Sequence, residues 1–522
     1  MRRKRLLFLA AAALYASLLV LLTAVERTSP DASIRTIPLA LWYSLTTLTT
    51  VGYGDLYPVT TAGRIVGAVF QLSSLGVLAM LIGAFVSLLR SRFLPLAKLS
   101  LSRKREWFVF PETASGFSPS ARALAASLHA EDPERVIVLC GTGGKAAEEP
   151  EGLRVIASPI GPAALAKRKG DGRIAVFLMD ENGAENERHA RELEGAACQV
   201  YCMTELEPDV IPERRHSFDP YDCCARLYWR RFPLLAADET VVIIGDGKYA
   251  EAILACGLEL NVIAEEMHAR YLVFGDYGRF LRNHYQLSEF LSVGKTDPGR
   301  DSLIVSDQPW NADPALLESA ARIVICPDSE ADTIRTLTEL KRFFPVSCPI
   351  HARLSMPFDD VQCFGSTEEL FSPELVLRAK LNETAMGLNE IYRCSAGGNA
   401  PAWGELSSFA RRSNVASAEH LRVKARILLG ADAVGDGELT KDLCRRAYAV
   451  FSSADANRRE AYRRIEHERW MRFHYMNNWR YAPVRNNAAR CHPLLVPYDR
   501  LSEADQRKDD YGWELLKALS DD

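Results

Sequence analysis

The sequence has no excess of basic residues and no low-complexity tract. Its 63 lysines and arginines face 67 aspartates and glutamates, which gives a net charge of -4 at pH 7. A balanced charge provides no electrostatic footprint for DNA or RNA, so we expect no nucleic-acid partner. No short internal repeat is present either. At 522 residues, the chain is long enough for roughly three or four domains of about 150 residues each.

Two stretches lack charged residues altogether. Residues 6–24 and residues 65–89 contain no Asp, Glu, Lys or Arg, and a helix needs about 20 apolar residues to cross hydrocarbon. Both stretches are therefore predicted to be transmembrane helices. Four basic residues precede the first stretch, so a cleaved signal peptide is the competing interpretation. The second apolar stretch, which follows so soon, argues against cleavage.

Basic residues flank the two predicted spans on one side. Residues 2–5 are all Arg or Lys, and Arg90, Arg92 and Lys98 follow the second span. Since basic flanking segments stay in the cytoplasm, both chain termini are predicted to be cytoplasmic. The expected location is the inner (plasma) membrane, with membrane lipid as a partner.

Cysteine is absent before Cys140, so all 12 cysteines fall in the part predicted to be cytoplasmic. They are expected to be reduced thiols. Cys198 and Cys202 lack the paired spacing of a zinc site, and His467-Glu468 lacks the second histidine of a zinc protease helix. No metal site is predicted.

The stretch from Thr49 to Asp55 lies between the two predicted spans. Before it, residues 38–49 begin with proline and are apolar but too short to cross, as expected for a re-entrant pore helix. Rings of backbone carbonyls replace the water around a potassium ion, and glycine permits the conformations that turn every carbonyl to one side. The predicted selectivity filter consists of Thr50, Val51, Gly52, Tyr53, Gly54 and Asp55.

This filter stretch resembles the potassium channel signature T-V-G-Y-G-D at every position. The resemblance implies potassium ions in the filter. One chain cannot close a ring of carbonyls, so several copies are required. The alternative is a glycine-rich turn in a globular loop, and the two apolar spans argue against it.

Two glycines, Gly76 and Gly83, lie within the second predicted span. A glycine inside a helix costs about 1 kcal/mol relative to alanine, so each is a candidate hinge for the gate. Close packing against small residues of a neighbouring helix is the alternative. The sequence favours packing at Gly83 and favours neither explanation at Gly76.

Residues 95–133 contain four prolines and are predicted to be a linker with one short helix. Strands predicted at 135–140, 174–180 and 199–203 alternate with helical segments, which indicates an α/β domain over residues 134–236. The glycine run from Gly141 to Gly144 lacks a small residue at the following spacing, because Ala147 is displaced, and Ser158 stands where an acid is required. We therefore expect a degenerate nucleotide site.

A second α/β segment, residues 237–372, has a better signature. A strand at 240–244 leads into Gly245, Gly247 and Ala250, then into an apolar helix and a predicted strand at 261–264. The glycines permit a tight turn and the close approach of a pyrophosphate, and Ala250 lets helix pack on strand. Phosphate would rest on the helix N-terminus, with Glu265 on a ribose. The expected ligand is NAD or another nucleotide; a fold that kept the turn and lost the ligand is the alternative.

A pore followed by two such lobes resembles the two-transmembrane potassium channels with regulator of potassium conductance domains. The resemblance covers about residues 1–372 and rests also on strands predicted at 321–326 and 349–353. It implies a pore domain at residues 1–94 and a homotetramer. In such a tetramer the lobes form a ring that expands on ligand binding and pulls the inner helices open.

Residues 373–522 differ in character. A helix is predicted at 371–392, a break at 397–399, and mostly helices from 403 onward. The motifs H-E-R-W at 467–470, N-W-R-Y-A at 478–482 and H-P-L-L-V-P-Y at 492–498 resemble the ryanodine receptor repeat domain, with two family glycines replaced by Asn478 and Ala482. The resemblance implies a ligand-binding module. The predicted pocket consists of Trp470, Trp479, Tyr481 and His492; core packing of these rings is the alternative.

These features predict a tetrameric, ligand-gated, potassium-selective channel. The expected architecture is a two-transmembrane α-helical pore domain, tandem α/β Rossmann-like lobes and a mostly α-helical C-terminal domain. No nucleophile or acid/base constellation accompanies Gly245, so no catalytic residue and no enzyme activity are predicted. The alternatives are a membrane-anchored nucleotide-dependent enzyme and a regulatory subunit of potassium transport.

Overall fold

The computed structural model of the protein describes residues 2–102, 105–113, 116–141, 155–170, 173–358, 360–395, 400–435 and 438–521. The predicted glycine run after Gly141, Ala147 and the predicted break at 397–399 lie outside the described residues. The chain divides into two compact units. Among the described residues, one unit holds 2–102 and 156–159, and the other holds the remainder.

The first unit is helical. Its helices are α1 (Arg2–Glu26), α2 (Ile37–Leu48), α3 (Thr61–Leu88) and α4 (Leu94–Leu101), with a π-helical turn at Leu89–Phe93. Within the described residues, none of the helices has both the length and the apolar character that crossing a membrane requires.

Side chains of α1, α2 and α3 form the core of this unit. That core includes Leu18, Leu22, Ile34, Ala40, Tyr43 and Phe70. The buried carboxylate of Glu26, at the end of α1, accepts hydrogen bonds from the backbone N–H of Val59 at 2.9 Å and of Thr60 at 3.0 Å. Thr60 in turn caps α3 by accepting from the Gly63 N–H at 2.9 Å. The carboxylate thereby ties the end of one long helix to the start of the other.

The second unit begins with a parallel sheet. Its strands are β1 (Trp107–Pro111), β2 (Val136–Cys140), β4 (Ile174–Leu178), β5 (Gln199–Met203) and β6 (Arg215–Phe218), in the order β2-β1-β4-β5-β6. The helices of this unit are α5 (Pro119–Glu131), α6 (Pro162–Lys169), α7 (Gly183–Glu192) and α8 (Pro220–Arg231); the short strand β3 (Val155–Ser158) is divided between the two units. The predicted linker at 95–133 is wrong at β1, because this strand pairs with both β2 and β4. Buried Trp107, Phe108, Val109 and Phe110 make it a core strand.

A second parallel sheet follows in the same unit. Its strands are β7 (Thr240–Ile244), β8 (Arg270–Phe274), β9 (Ser292–Val293), β10 (Ser302–Ser306), β11 (Arg322–Ile325), β12 (Ile350–Arg353) and β13 (Val361–Phe364), in the order β13-β12-β11-β7-β8-β10-β9. The accompanying helices are α9 (Lys248–Leu260), α10 (Gly278–Asn283), α11 (Pro314–Glu318) and α12 (Glu330–Phe343), with a 3-10 turn at Leu287–Glu289. The predicted tandem α/β lobes are confirmed. The strand predicted at 261–264 is wrong, since α9 is followed by a loop that reaches β8 only at Arg270.

The C-terminal residues of the second unit form mainly helices. These are α13 (Thr367–Leu370), α14 (Pro373–Val376), α15 (Glu383–Ser395), α16 (Ser408–Leu429), α17 (Ala431–Val434), α18 (Lys441–Ser452), α19 (Ala456–Met476), α20 (Glu503–Gln506) and α21 (Tyr511–Asp521), with the two-residue strands β14 (Arg480–Tyr481) and β15 (Cys491–His492). Short 3-10 turns lie at Lys380–Asn382, Trp403–Glu405, Tyr498–Arg500 and Arg507–Asp510. The single helix predicted at 371–392 is wrong. Ala379 adopts a left-handed conformation (φ 47°), which ends one helical segment before the next begins.

Candidate functional site

The predicted filter follows α2 directly. Proline occupies the first turn of α2, where its missing N–H costs no hydrogen bond. Past the helix, the backbone N–H groups of Val51 and Gly52 both donate to the Thr46 carbonyl, at 3.0 and 3.1 Å. These bonds turn the chain back from the helix end and leave the carbonyls of the filter residues free of that helix.

The filter backbone alternates in conformation. Thr50, Gly52 and Gly54 have φ of 59°, 53° and 71°, whereas Val51 and Tyr53 between them have negative φ. An alternation of this kind directs successive carbonyls to the same side of the chain. Glycine adopts positive φ without strain. Thr50, however, carries a Cβ there, a conformation that costs of order 1–3 kcal/mol.

The outer end of the filter is held by Trp42 of α2. Its indole ring stacks on Tyr53, with ring centroids 6.0 Å apart and planes 2° from parallel. Its indole N–H donates to Asp55 Oδ2 at 2.9 Å. Tyr53 and Val51 nevertheless expose 67% and 54% of their surface in a single chain, so the filter has large apolar side chains free for contacts with further copies.

The predicted hinge glycines lie inside an unbroken helix. α3 runs through Gly76 and Gly83, and a Cβ at either position would meet no atom of this chain within 4 Å. The backbone departs from α-helical geometry only later, in the π-helical turn at Leu89–Phe93. Such turns are rare and are frequent at functional sites. Pro95, which has no N–H to donate, is the only signal of this turn in the sequence.

The glycine turn of the second lobe joins β7 to α9. Gly245 and Gly247 have φ of 132° and 93°, and Ala250 is fully buried at the start of α9. A Cβ on Gly245 would lie 2.6 Å from the backbone nitrogen of Pro327. Glycine is needed at position 245 because the loop after β11 lies directly against the turn and leaves no space for a Cβ.

Asp328, in that same loop, occupies the N-terminus of α9. Its carboxylate accepts hydrogen bonds from the backbone N–H groups of Lys248 at 3.3 Å and Tyr249 at 3.2 Å. A Cβ on Gly247 would collide with the same carboxylate. The position predicted for a ligand phosphate therefore holds a carboxylate of the chain itself.

The cations around this turn already have partners. Lys248 forms an ion pair with Glu205, and Arg279 pairs with Glu251 at 3.0 Å. Arg353 donates to the carbonyl of Asp328 at 2.6 Å, and its guanidinium lies 4.1 Å from the Tyr249 ring centroid. A phosphate entering here would have to displace the carboxylate of Asp328.

The structure does not bring Glu265 to the glycine turn. α9 runs 13 residues back along the sheet, so Glu265 lies before the amino end of β8, where it faces Arg464 of α19 at 3.8 Å. The acid beside the turn is Asp276, which follows the carboxyl end of β8 and donates its backbone N–H to Asp246 Oδ2 at 3.3 Å. The prediction of Glu265 is wrong because it assumed a strand directly after α9, where the structure has a loop.

In the first lobe, the described residues include only the ends of the predicted site. Gly141 follows β2, and Ser158, fully buried, ends β3. The residues between 142 and 154, where the glycine run continues, lie outside the described residues.

Three of the four aromatic residues predicted as a pocket come together in the C-terminal helices. His474 lies among them, with its ring centroid 4.1 Å from Trp470, 5.2 Å from Trp479 and 5.9 Å from His492. Burial lowers the pKa of His474 to about 3, so its ring is neutral. Tyr481 lies opposite His492 in the β14–β15 pair, but its side chain is exposed. The three rings therefore pack around a buried histidine, which supports the core-packing alternative.

His467 and Glu468 are adjacent in the sequence and bind different groups. His467 donates from Nε2 to the Val496 carbonyl at 2.8 Å and faces Asp509 at 3.4 Å. Burial opposes its charged form, but Asp509 outweighs burial and raises the pKa of the imidazole. Glu468 pairs with Arg472 at 2.8 Å.

The C-terminal helices bind the lobes through buried charges that the sequence did not reveal. Glu419 of α16 lies 2.6 Å from Arg226 and 2.7 Å from Arg230, both on α8. Burial alone would raise the pKa of Glu419, but the two guanidinium groups outweigh it and lower the pKa. A third buried pair joins Arg472 to Asp301 at 2.7 Å. These contacts make the C-terminal helices part of the same compact unit as the lobes.

Family comparisons match both ends of the chain. Residues 6–91 match the ion channel family model, and residues 450–520 match the RyR domain model. The chain is therefore similar to the ion channel family near its N-terminal end and to the RyR domain near its C-terminal end.

The relatives match a short part of the chain. A voltage-gated potassium channel of Aeropyrum pernix is 42% identical over 59 residues, which are 11% of this chain and 20% of the relative. The potassium voltage-gated channel protein Shal of Drosophila melanogaster is 44% identical over 62 residues, 12% of this chain and 11% of the relative. The chain thus spans a fifth or less of these relatives, both of which are potassium channels and not enzymes.

Among solved structures, the GsuK channel gives long but distant matches. The GsuK structure bound to ADP has a TM-score of 0.35 at 14% identity, covering 72% of this chain and 99% of that one. The GsuK channel bound to NAD has a TM-score of 0.34 at 12% identity, covering 74% and 86%.

Proposed function

We propose that this chain, which is similar to the ion channel family at residues 6–91, forms a potassium-selective pore gated by a ligand on its cytosolic part. The observation that carries the proposal is the alternation of positive and negative φ along Thr50 to Gly54. This backbone offers a column of carbonyl oxygens, the ligand set that replaces the hydration shell of potassium.

Four copies around one axis complete the proposed pore. A single chain contributes one column of carbonyls, and a closed ring needs symmetry-related columns. The exposed side chains of Val51 and Tyr53 support contacts between copies at the filter.

The proposed location is the inner (plasma) membrane, with both termini in the cytoplasm. The basic residues before 6 and after 89 support this orientation. The filter mouth at Asp55 then faces the outside, and the two α/β lobes with the RyR domain face the cytoplasm.

Gating requires a ligand that distinguishes the open from the closed state. Changing a pore from mostly shut to mostly open takes about 5.5 kcal/mol of differential binding. Shared among four identical sites, this is about 1.4 kcal/mol each, or a tenfold difference in affinity per site. NAD or another nucleotide is the proposed ligand, and the glycine turn at Gly245 and Gly247 supports its binding to the second lobe once Asp328 has moved away.

Reconstitution into liposomes tests this function. Purified full-length protein should release potassium much faster than sodium, and ADP or NAD should change the potassium rate. The mass of the detergent-solubilised protein should equal that of four chains. Equal rates for the two ions would refute the filter, whereas selective but ligand-insensitive flux would refute only the gating.

A further inference from the structure

A cavity of about 200 Å3 lies among α15, α16 and α21 of the C-terminal part. Its walls include Leu388, Asn389, Tyr392, Asn414, Ser417 and Tyr511. It shares none of these residues with the aromatic group around His474. No motif in the sequence points to it, because its lining comes from three helices separated by up to about 120 positions in the chain.

The lining fixes the chemistry that this cavity accepts. It combines apolar leucine side chains, tyrosine rings, two amides and one hydroxyl, and none of the lining residues carries a charge at neutral pH. A phosphate would find no cation among them. Pockets for drug-sized ligands start near 300 Å3, so a space of this size suits one uncharged ring system rather than a whole dinucleotide.

One amide in the cavity forms hydrogen bonds through both its nitrogen and its oxygen, and the other forms one through its nitrogen only. Asn389 is only 6% exposed; its Nδ2 donates to the Pro401 carbonyl at 3.4 Å and its Oδ1 accepts from Asn414 Nδ2 at 3.5 Å. Asn414 keeps its own Oδ1, and Ser417 its hydroxyl, without a hydrogen bond to any residue in the described part of the chain. The cavity therefore presents an acceptor and a hydroxyl donor three residues apart on one face of α16.

Aromatic side chains mark where the cavity opens. Tyr392 and Tyr511 expose 54% and 53% of their surface while also lining the cavity. Burial of part of Tyr511 raises the pKa of its phenol, so the ring stays neutral. Tyrosine rings favour stacking on a flat aromatic ligand, and the rest of a larger ligand would extend past them into solvent.

We propose that this cavity binds a planar, uncharged heteroaromatic ring of the nucleobase class. Asn414 and Ser417 bind the edge of the ring, and Tyr392 and Tyr511 contact its faces. Within the proposed ligand-gated channel, on which this role rests, the cavity is the sensor site of the C-terminal domain.

The position of the cavity on α16 gives binding there a route to the lobes. At one end of α16, Arg411 pairs with Glu207 of the first lobe. Two turns later, Glu419 pairs with Arg226, and His420 donates to the Val262 carbonyl at 3.0 Å, at the end of α9. Asn414 and Ser417 lie between these contacts. A ligand bound to them touches a helix that is anchored to both lobes.

Calorimetric titration tests the site. Full-length protein in detergent is titrated with four uncharged probes: adenosine, guanosine, cytidine and uridine. At least one should bind saturably with one site per chain. Asn414→Leu and Ser417→Ala should each weaken that binding about tenfold, the loss expected for one good hydrogen bond of about 1.4 kcal/mol. Ser413→Ala, on the same helix but outside the cavity, should leave it unchanged.

Three results would overturn the proposal. They are no binding of any probe, equal affinity in the Asn414→Leu and unmodified proteins, and an equal loss in Ser413→Ala. Unchanged thermal unfolding of Ser417→Ala shows that its loss is local, because this small change keeps the helix intact. Potassium flux is measured separately, so binding without an effect on flux would refute gating while leaving the site in place.

Discussion

Trp42 donates its indole N–H to Asp55 Oδ2 at 2.9 Å, across 13 residues of sequence. This bond connects the predicted pore helix to the far end of the filter, beyond the three positions with positive φ. Because Trp42 also stacks on Tyr53, one side chain restrains two of the last three filter residues. A filter that needs fixed carbonyl positions depends on such restraints.

Trp42→Phe keeps a ring against Tyr53 but removes the donor to Asp55. We expect selective potassium flux from liposomes to fall roughly fivefold, the effect of losing about 1 kcal/mol of hydrogen bonding. Asp55→Asn is the matched control, since its amide oxygen still accepts and its effect should be smaller. Wild-type flux in Trp42→Phe would show that the bond does not support the filter.

Gly54→Ala places a Cβ on a residue with φ of 71°. The backbone would be strained by about 1–2 kcal/mol, and we expect it to relax and abolish potassium selectivity in the flux assay. Gly83→Ala serves as the control, because Gly83 lies in regular helix with open space around it. Its potassium-to-sodium ratio should remain that of the unmodified protein; retained selectivity in Gly54→Ala would refute the filter assignment.

Asp328→Ala frees the two backbone N–H groups at the start of α9. If a ligand phosphate uses this position, removing the competing carboxylate should raise ADP affinity about tenfold, as measured by titration calorimetry. Asp332→Ala, in the exposed first turn of α12, is the control and should not change it. Unaltered or weaker ADP binding in Asp328→Ala would mean that the glycine turn is not a phosphate site.

Glu419→Gln removes the carboxylate shared by Arg226 and Arg230. Two guanidinium groups would then face one another with one amide between them, and Arg226 is nearly fully buried. Removing one partner of a buried ion pair costs about 3–5 kcal/mol. We expect a lower denaturation midpoint for the unit that contains the lobes. Asp222→Asn, which removes the exposed partner of Arg226 at 3.3 Å, should cost far less.

Glu259, near the end of α9, makes stability depend on pH. Burial raises its pKa to about 7, although Arg412 and Arg469 oppose that shift. The folded state therefore holds a proton that the unfolded state releases from about pH 4.5, so stability should fall as pH rises from 4.5 to 7. Glu259→Gln should lose this component and become more stable than the unmodified protein at pH 8, with no such difference at pH 4. Glu266→Gln, an exposed neighbour, is the control in urea denaturation at both values.

The pattern of the sequence predicted local structure well where it was periodic or bounded by turns. Strands β5 and β7 begin and end where the sequence placed them, because each is a short apolar run that ends at a polar or glycine residue. β1 was missed for a physical reason: its short run of three aromatic residues and one valine stands alone between prolines, and only its pairing with β2 and β4 makes it a core strand.

The candidate sites were less predictable, since they depend on which loops meet. The glycines that give the filter and the turn after β7 their positive φ were all visible in the sequence. Asp328 was not, because it reaches α9 from a strand about 80 residues further along the chain. The sequence signal for Asp328 is an acidic residue shortly after the strand that neighbours β7 in the sheet. The prediction of Glu265 is wrong because a fixed spacing from Gly245 does not allow for the loop before β8.

The buried pairs that Glu419 and Asp301 make across the second unit limit how this architecture can be recombined. A C-terminal domain grafted onto other lobes would contain an unpaired Glu419. Lobes without this domain would expose Arg226 and leave Asp301 without its partner Arg472. Residues 373–522 alone therefore cannot be exchanged between proteins as an independent domain. A functional chimaera must therefore take α8, the loop before β10, α16 and α19 from the same protein, so that both residues of each ion pair are present.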